Sequence, residues 1–179
     1  MDRPPPLGWT IETSRAANAA FVKRFEASAS ECEAIARYLD VSSVASVIAD
    51  VKVSPLSRDR FRLTGNLEAE LCQESVVSLE PVPETVAEPI SIEFWPVDQI
   101  AGDDDDDADE IVVSLEEEAP EPIEDGSIAI GRLVCELLAV SVNPYPRKEA
   151  ESFEYDAEDG GRPNPFAVLQ KLKPGSGAK

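Results

Sequence analysis

At 179 residues the chain is long enough for one domain, and a domain of this size buries roughly 70% of the surface its unfolded chain exposes. Its 36 acidic residues outnumber 16 basic ones, for a net charge of −20, so its field repels phosphate backbones and direct nucleic-acid binding requires a segregated basic face. There is no histidine, which removes the commonest general base, the usual Ser-His and Cys-His nucleophile systems and the commonest neutral metal ligand together.

No run approaches the ~20 apolar residues of a membrane-spanning helix. The first residues, Met1-Asp2-Arg3-Pro4-Pro5-Pro6, lack the apolar core of a secretory signal, so a cytoplasmic location without a membrane partner is expected. The three cysteines, Cys32, Cys72 and Cys135, are odd in number and each sits in an apolar pattern, which reads as buried free thiols in a reducing compartment.

In chain order, residues 1–8 are proline-rich and expected to be loose, and Trp9-Thr10-Ile11-Glu12 reads as a short edge strand. Residues 16–29, with Phe21, Val22 and Phe25 around Lys23 and Arg24, leave an extended reading open. A first helix is predicted from Ser30, where Ser30-Glu31-Cys32-Glu33 has the form of a capping box and Cys32, Ile35, Ala36 and Leu39 make one apolar stripe. A strand follows over Val44–Val53, ending at Pro55, with Val47, Ala49, Val51 and Val53 alternating with more polar residues. Ser57-Arg58-Asp59 then makes a polar hairpin tip.

The sharpest periodicity lies from Phe61 to Leu71, where Phe61, Leu63, Gly65, Leu67, Ala69 and Leu71 alternate with Arg60, Arg62, Thr64, Asn66, Glu68 and Glu70. This is a strand with one buried face. Two further β-rich runs, Ser75–Glu80 and Ile90–Trp95, are separated by Pro81, Pro83 and Pro89, so the stretch reads as an antiparallel meander jointed at prolines.

Fourteen of the acids fall between Asp98 and Asp125, where no lysine or arginine occurs. Such a block repels itself and buries little, so 98–125 reads as a disordered acidic insertion. Within it Asp103, Asp104, Asp105, Asp106, Asp107, Asp109 and Glu110 are the candidate docking surface for a basic partner. Ile111–Leu115 fits an edge strand and a docking peptide equally. A second main helix is predicted over Ser127–Val142, with Ile130, Leu133, Val134, Leu137 and Leu138 on one face and Asp125 and Ser127 as candidate caps. Asn143-Pro144-Tyr145-Pro146-Arg147-Lys148 should be extended and present Arg147 and Lys148. A short C-terminal helix is predicted from Asn164, with Phe166, Leu169 and Leu172 on one face and Lys171 and Lys173 at its C-terminal end. It is marginal alone and has to dock.

No phosphate loop or dinucleotide fingerprint appears, and the largest carboxylate cluster lies in a stretch too polar to hold acids in the fixed, desolvated geometry of acid–base catalysis. The run Asp103–Asp107 lacks the glycine turn and spaced ligands of a calcium loop.

The central stretch resembles the YceD family, the large ribosomal RNA subunit accumulation proteins of bacteria. Their pattern, roughly V-x-G-x-L-x-A-x-V followed by C-x-x-C-L-E-P, is similar to Leu63-Thr64-Gly65-Asn66-Leu67-Glu68-Ala69-Glu70-Leu71 and Ser75-Val76-Val77-Ser78-Leu79-Glu80-Pro81. Two further segments match in order, Ile128–Lys148 and Asn164-Pro165-Phe166-Ala167-Val168-Leu169 with Leu172-Lys173, and the 143–148 form resembles the alphaproteobacterial branch. Ser75 and Ser78 stand where the family's cysteine pair would be, and a hydroxyl is a far poorer zinc ligand than a thiolate, so no structural metal and no cofactor are expected.

The elements read along the chain make an α+β domain, an antiparallel sheet with two main helices and a short C-terminal one. The resemblance implies a non-enzymatic factor in large-subunit ribosome biogenesis, supporting accumulation or maturation of 23S ribosomal RNA, and no small-molecule substrate is expected. Two routes are open. Arg58, Arg60 and Arg62, extended by Arg147, Lys148, Lys171 and Lys173, could contact RNA unless acids across the sheet neutralise them. Alternatively, the acidic insertion could hold a basic large-subunit ribosomal protein, and charge favours this second route. A generic acidic protein-interaction domain and a carboxylate-dependent enzyme are the remaining alternatives.

Overall fold

In the computed structural model, which describes residues 4–100 and 119–148, the expected central strand is the middle of a five-stranded sheet. Strands β2 (Phe21–Glu26), β3 (Ser43–Pro55), β4 (Phe61–Glu74), β5 (Pro81–Pro96) and β6 (Glu121–Ile123) lie side by side in that order. The first four pair antiparallel and β6 joins β5 in parallel. On β4 the alternation is literal: Phe61, Leu63, Leu67, Ala69 and Leu71 are buried, while Arg62, Asn66, Glu68 and Glu70 are exposed. Val47, Ala49, Val51 and Val53 of β3 continue the buried face, and Val86, Ile90 and Phe94 of β5 complete it. Gly65 is required where β3 and β4 come close, since a Cβ there would stand 2.1 Å from the Asp50 carbonyl oxygen.

Helices α1 (Ala29–Leu39) and α3 (Ile130–Ser141) cover that face, α1 against β3 and α3 against β5. Cys32 and Ile35 of α1, and Leu133, Val134, Cys135 and Leu138 of α3, enter the core. The opposite sheet face carries the polar alternates. Fold class is thus mixed α and β around a mostly antiparallel sheet, as expected.

Several expectations are corrected. The Ser75–Glu80 run is a turn, not a strand. The Ser75 hydroxyl accepts the amides of Val77 and Ser78 at 3.1 and 3.2 Å, and Leu79 N–H closes on the Ser75 carbonyl at 3.0 Å, so local hydrogen bonds outweigh the β preference of two valines. Nor do the prolines joint the sheet. β5 runs unbroken through Pro81, Pro83 and Pro89, in a single register from Phe61↔Phe94 to Glu74↔Pro81. In an antiparallel ladder a residue's N–H and C=O point to one side and the side alternates along the strand, so three prolines of one parity all turn their missing N–H toward the open edge.

The α1 cap is Ser28, two residues earlier than expected. Its hydroxyl accepts the Glu31 amide at 3.3 Å and Glu31 reaches back to the Ser28 amide at 2.8 Å. Ser28-x-x-Glu31 fits the capping pattern as well as Ser30-x-x-Glu33 does, and Trp9 Nε1–H adds a 3.0 Å bond to Glu31 that the later start would forgo. α3 starts three residues later than Ser127 and has no side-chain cap. Asp125 and Gly126, at φ 47° and 70°, make a tight turn, and β7 (Ser127–Ile128) pairs with β1 (Ile11–Glu12). The proline-rich start is not loose over its described residues: Leu7 is buried, and Gly131 of α3 lets it cross, since a Cβ there would lie 2.2 Å from the Leu7 carbonyl oxygen. Short α2 (Val97–Ile100) follows β5 directly, and β6 and the following turn fall inside the stretch read as a disordered insertion.

Candidate interaction surfaces

The β3–β4 hairpin fixes the arginines. Arg58 and Asp59 occupy the tip at φ 62° and 56°, and Leu56 N–H bonds the Arg60 carbonyl at 2.7 Å. Arg60 and Arg62 share the polar face of β4, and the β4–β5 register sets Arg62 opposite Glu93. Arg62 donates to Glu93 Oε1 through Nη2 at 2.5 Å and Nε at 3.2 Å, and Trp95 Nε1–H donates to Glu93 Oε2 at 3.0 Å. The Arg62 hydrogen bonds, then that of Trp95, hold the Glu93 carboxyl below its ordinary pKa. The Arg60 guanidinium lies over the Trp95 ring, 3.4 Å from its centroid, and donates from Nε to Gln99 at 2.7 Å. Gln99 in turn donates to the Arg58 carbonyl at 2.9 Å. One carboxylate, one indole and one amide therefore organise two of the three guanidinium groups.

Glu93, Trp95 and Gln99 were not singled out by the sequence reading. Continuous pairing back from Glu74↔Pro81 would have placed Glu93 opposite Arg62, but the prolines hid the continuity.

Arg147 and Lys148 do not extend this surface. They lie beside the β4–β5 turn, where Lys148 pairs with Glu80 and Val76 N–H bonds the Pro146 carbonyl at 2.9 Å. That turn and the arginine hairpin are at opposite ends of 14-residue β4, about 45 Å apart at ~3.3 Å per residue. Lys171 and Lys173, the Ile111–Leu115 segment and the acids Asp103–Asp107, Asp109 and Glu110 lie outside the described residues, as does the predicted C-terminal helix.

The acids of the polar β4 face have a different setting. Glu68, Glu70 and Glu74 are exposed and make no ion pair within 4.0 Å among the described residues. Arg132 on α3 is engaged three ways, at 2.9 Å from Glu136, 3.6 Å from Glu124 and 3.7 Å from Glu121, and these carboxylates, Glu136 foremost, raise its pKa. It ties the chain returning from the acidic segment to the helix layer.

Among the described residues no group of three or more cysteine, aspartate or glutamate side chains is placed to hold a metal ion. Ser75, at the first position of the family's cysteine pair, is fully buried and its oxygen is already an acceptor for two amides. Burial pushes the Cys32 and Cys135 thiols up from their ordinary pKa, which suits core packing and not nucleophilic chemistry. A cleft of about 140 Å³ between the two sheets is lined by Thr10, Glu12, Arg15, Phe21 and Lys23. No described helix is long and apolar enough to cross a membrane.

Comparison with protein-family models, with curated proteins and with solved structures gave no match in any of the three.

Proposed function

We propose that this protein acts by binding, as a non-enzymatic cytoplasmic factor in large-subunit ribosome biogenesis, and that its partner is a basic large-subunit ribosomal protein held before assembly. The ribosomal part of this reading rests on the ordered YceD-like motifs. The choice of a basic protein over RNA rests chiefly on one observation, the engagement of the arginine face: Arg62 is paired with Glu93, and Arg60 is stacked on Trp95 and bonded to Gln99. An RNA-binding surface gains most of its affinity from cations free to displace counterions at phosphates. Here Arg147 and Lys148 lie at the other end of β4, while Glu68, Glu70 and Glu74 stand exposed on a chain of net charge −20. Acidic carboxylates at Asp103–Asp107, Asp109 and Glu110 add to this charge and imitate the phosphates that a ribosomal protein later meets.

Affinity capture from extract with an Arg58→Glu/Arg62→Gln variant tests the choice of partner. Large-subunit proteins should be retained within about twofold of the wild-type level. Loss of ribosomal RNA and ribosomal proteins together, with the fold intact by circular dichroism, would transfer the function to the arginine face.

A further inference from the structure

At the end of the molecule opposite the arginine hairpin, three large apolar side chains meet solvent: Val76, Leu79 and Tyr145 are 56%, 73% and 73% exposed. They belong to one surface, because the 75–80 turn and the 143–148 segment are bonded to each other and to the sheet. Val76 N–H donates to the Pro146 carbonyl, Gln73 Nε2 donates to the Asn143 carbonyl at 3.0 Å, and Asn143 N–H donates to Glu84 at 2.9 Å. Pro146 is buried beneath, so the strap is seated and not merely adjacent. Leu79 is held at φ 61°, a conformation that bulky residues rarely adopt, with its side chain outward. A contiguous apolar surface of this kind, rimmed by Glu74 and Glu80, marks a docking site.

The chain leaves that surface at Lys148 with 31 residues still to run. Among them is the segment Asn164–Lys173, whose Phe166, Leu169 and Leu172 fall on one helical face and whose Lys171 and Lys173 follow at the end. Ten residues are fewer than the ~12–15 an isolated helix needs in water, so this segment requires a surface to fold on. The intervening residues 149–163 number fifteen, which fully extended span up to about 50 Å, long enough for the segment to reach the Val76–Leu79–Tyr145 patch. Its lysines complement the exposed Glu74 beside that patch. We propose that residues 164–173 dock as a helix on the apolar surface formed by Val76, Leu79 and Tyr145. This inference does not depend on the ribosomal reading. It assigns Lys171 and Lys173 to an intramolecular contact instead of a nucleic-acid face.

Two measurements on the full chain test it. A Tyr145→p-benzoylphenylalanine variant, irradiated and mapped by mass spectrometry, should cross-link to residues 164–173 with a yield unchanged over a tenfold dilution. Hydrogen exchange of amides 166–172 should be at least tenfold slower than in the free peptide, and Leu79→Asp should restore the free-peptide rate while protection in β4 and α1 persists. Free-peptide exchange in the wild-type chain would overturn the proposal. So would cross-links elsewhere, or cross-linked dimers that increase with concentration and so name a second copy as the occupant.

Discussion

Ser75 shows how one side chain can hold a turn that would otherwise be extended. It is fully buried, and its hydroxyl accepts from the amides of Val77 and Ser78. Ser75→Ala should therefore lower stability by about 1–2 kcal/mol, the net loss of two hydrogen bonds to partly exposed amides, measured as a shift in the urea midpoint. Gly65→Ala should cost at least as much, because its Cβ would stand 2.1 Å from backbone and not from a flexible side chain. The depressed carboxylates Glu31 and Glu93 make stability pH-dependent. Hydrogen bonds from the Ser28 amide and hydroxyl lower the first, and those from Arg62 lower the second, from the ordinary 4.5. A folded pKa below the unfolded one contributes stability fully present above pH 4.5 and lost as pH falls through the folded value. The urea midpoint should thus fall below pH 4.5, and fall less steeply in a Glu31→Gln/Glu93→Gln variant. An equal slope in both proteins would contradict this assignment.

Among the elements, those whose residues alternate against a single buried face were legible in the sequence. β3, β4 and the stripes of α1 and α3 declare their period because one layer of helices covers one side of one sheet. What was not legible depends on neighbours. Pro81, Pro83 and Pro89 break a strand in isolation, and only the open edge of β5 makes them harmless. Asp125-Gly126 between Ile123 and Ile128 is a strong hairpin signal, but the long apolar run after it suggested an earlier helix start instead. Arg60 and Arg62 share one parity in the sequence, yet their partners Glu93, Trp95 and Gln99 lie beyond prolines that read as a strand break and are not one. The cap assignment is open to a direct check. Ser28→Ala should destabilise by about 1 kcal/mol, while Ser30→Ala should remain within ~0.5 kcal/mol of wild type. The reverse order would restore the later helix start.

At the scale of the whole molecule, charge and architecture act in one direction. The helix layer closes one sheet face, and the other carries arginines tied to Glu93 and Trp95 at one end and exposed glutamates toward the other. Arg132 and β6 anchor the return of the acidic segment, so that segment leaves and rejoins the sheet at β5. Removing 101–118 alone spares β6 and the Arg132 contacts, whereas a cut through 125 would damage the fold. The decisive measurement is affinity capture of the tagged full chain and of this deletion from cell extract, with and without nuclease. The account predicts that basic large-subunit proteins persist after nuclease with the full chain and are lost with the deletion. Ribosomal RNA bound directly by both purified forms, with no nuclease-resistant protein partner, would contradict it.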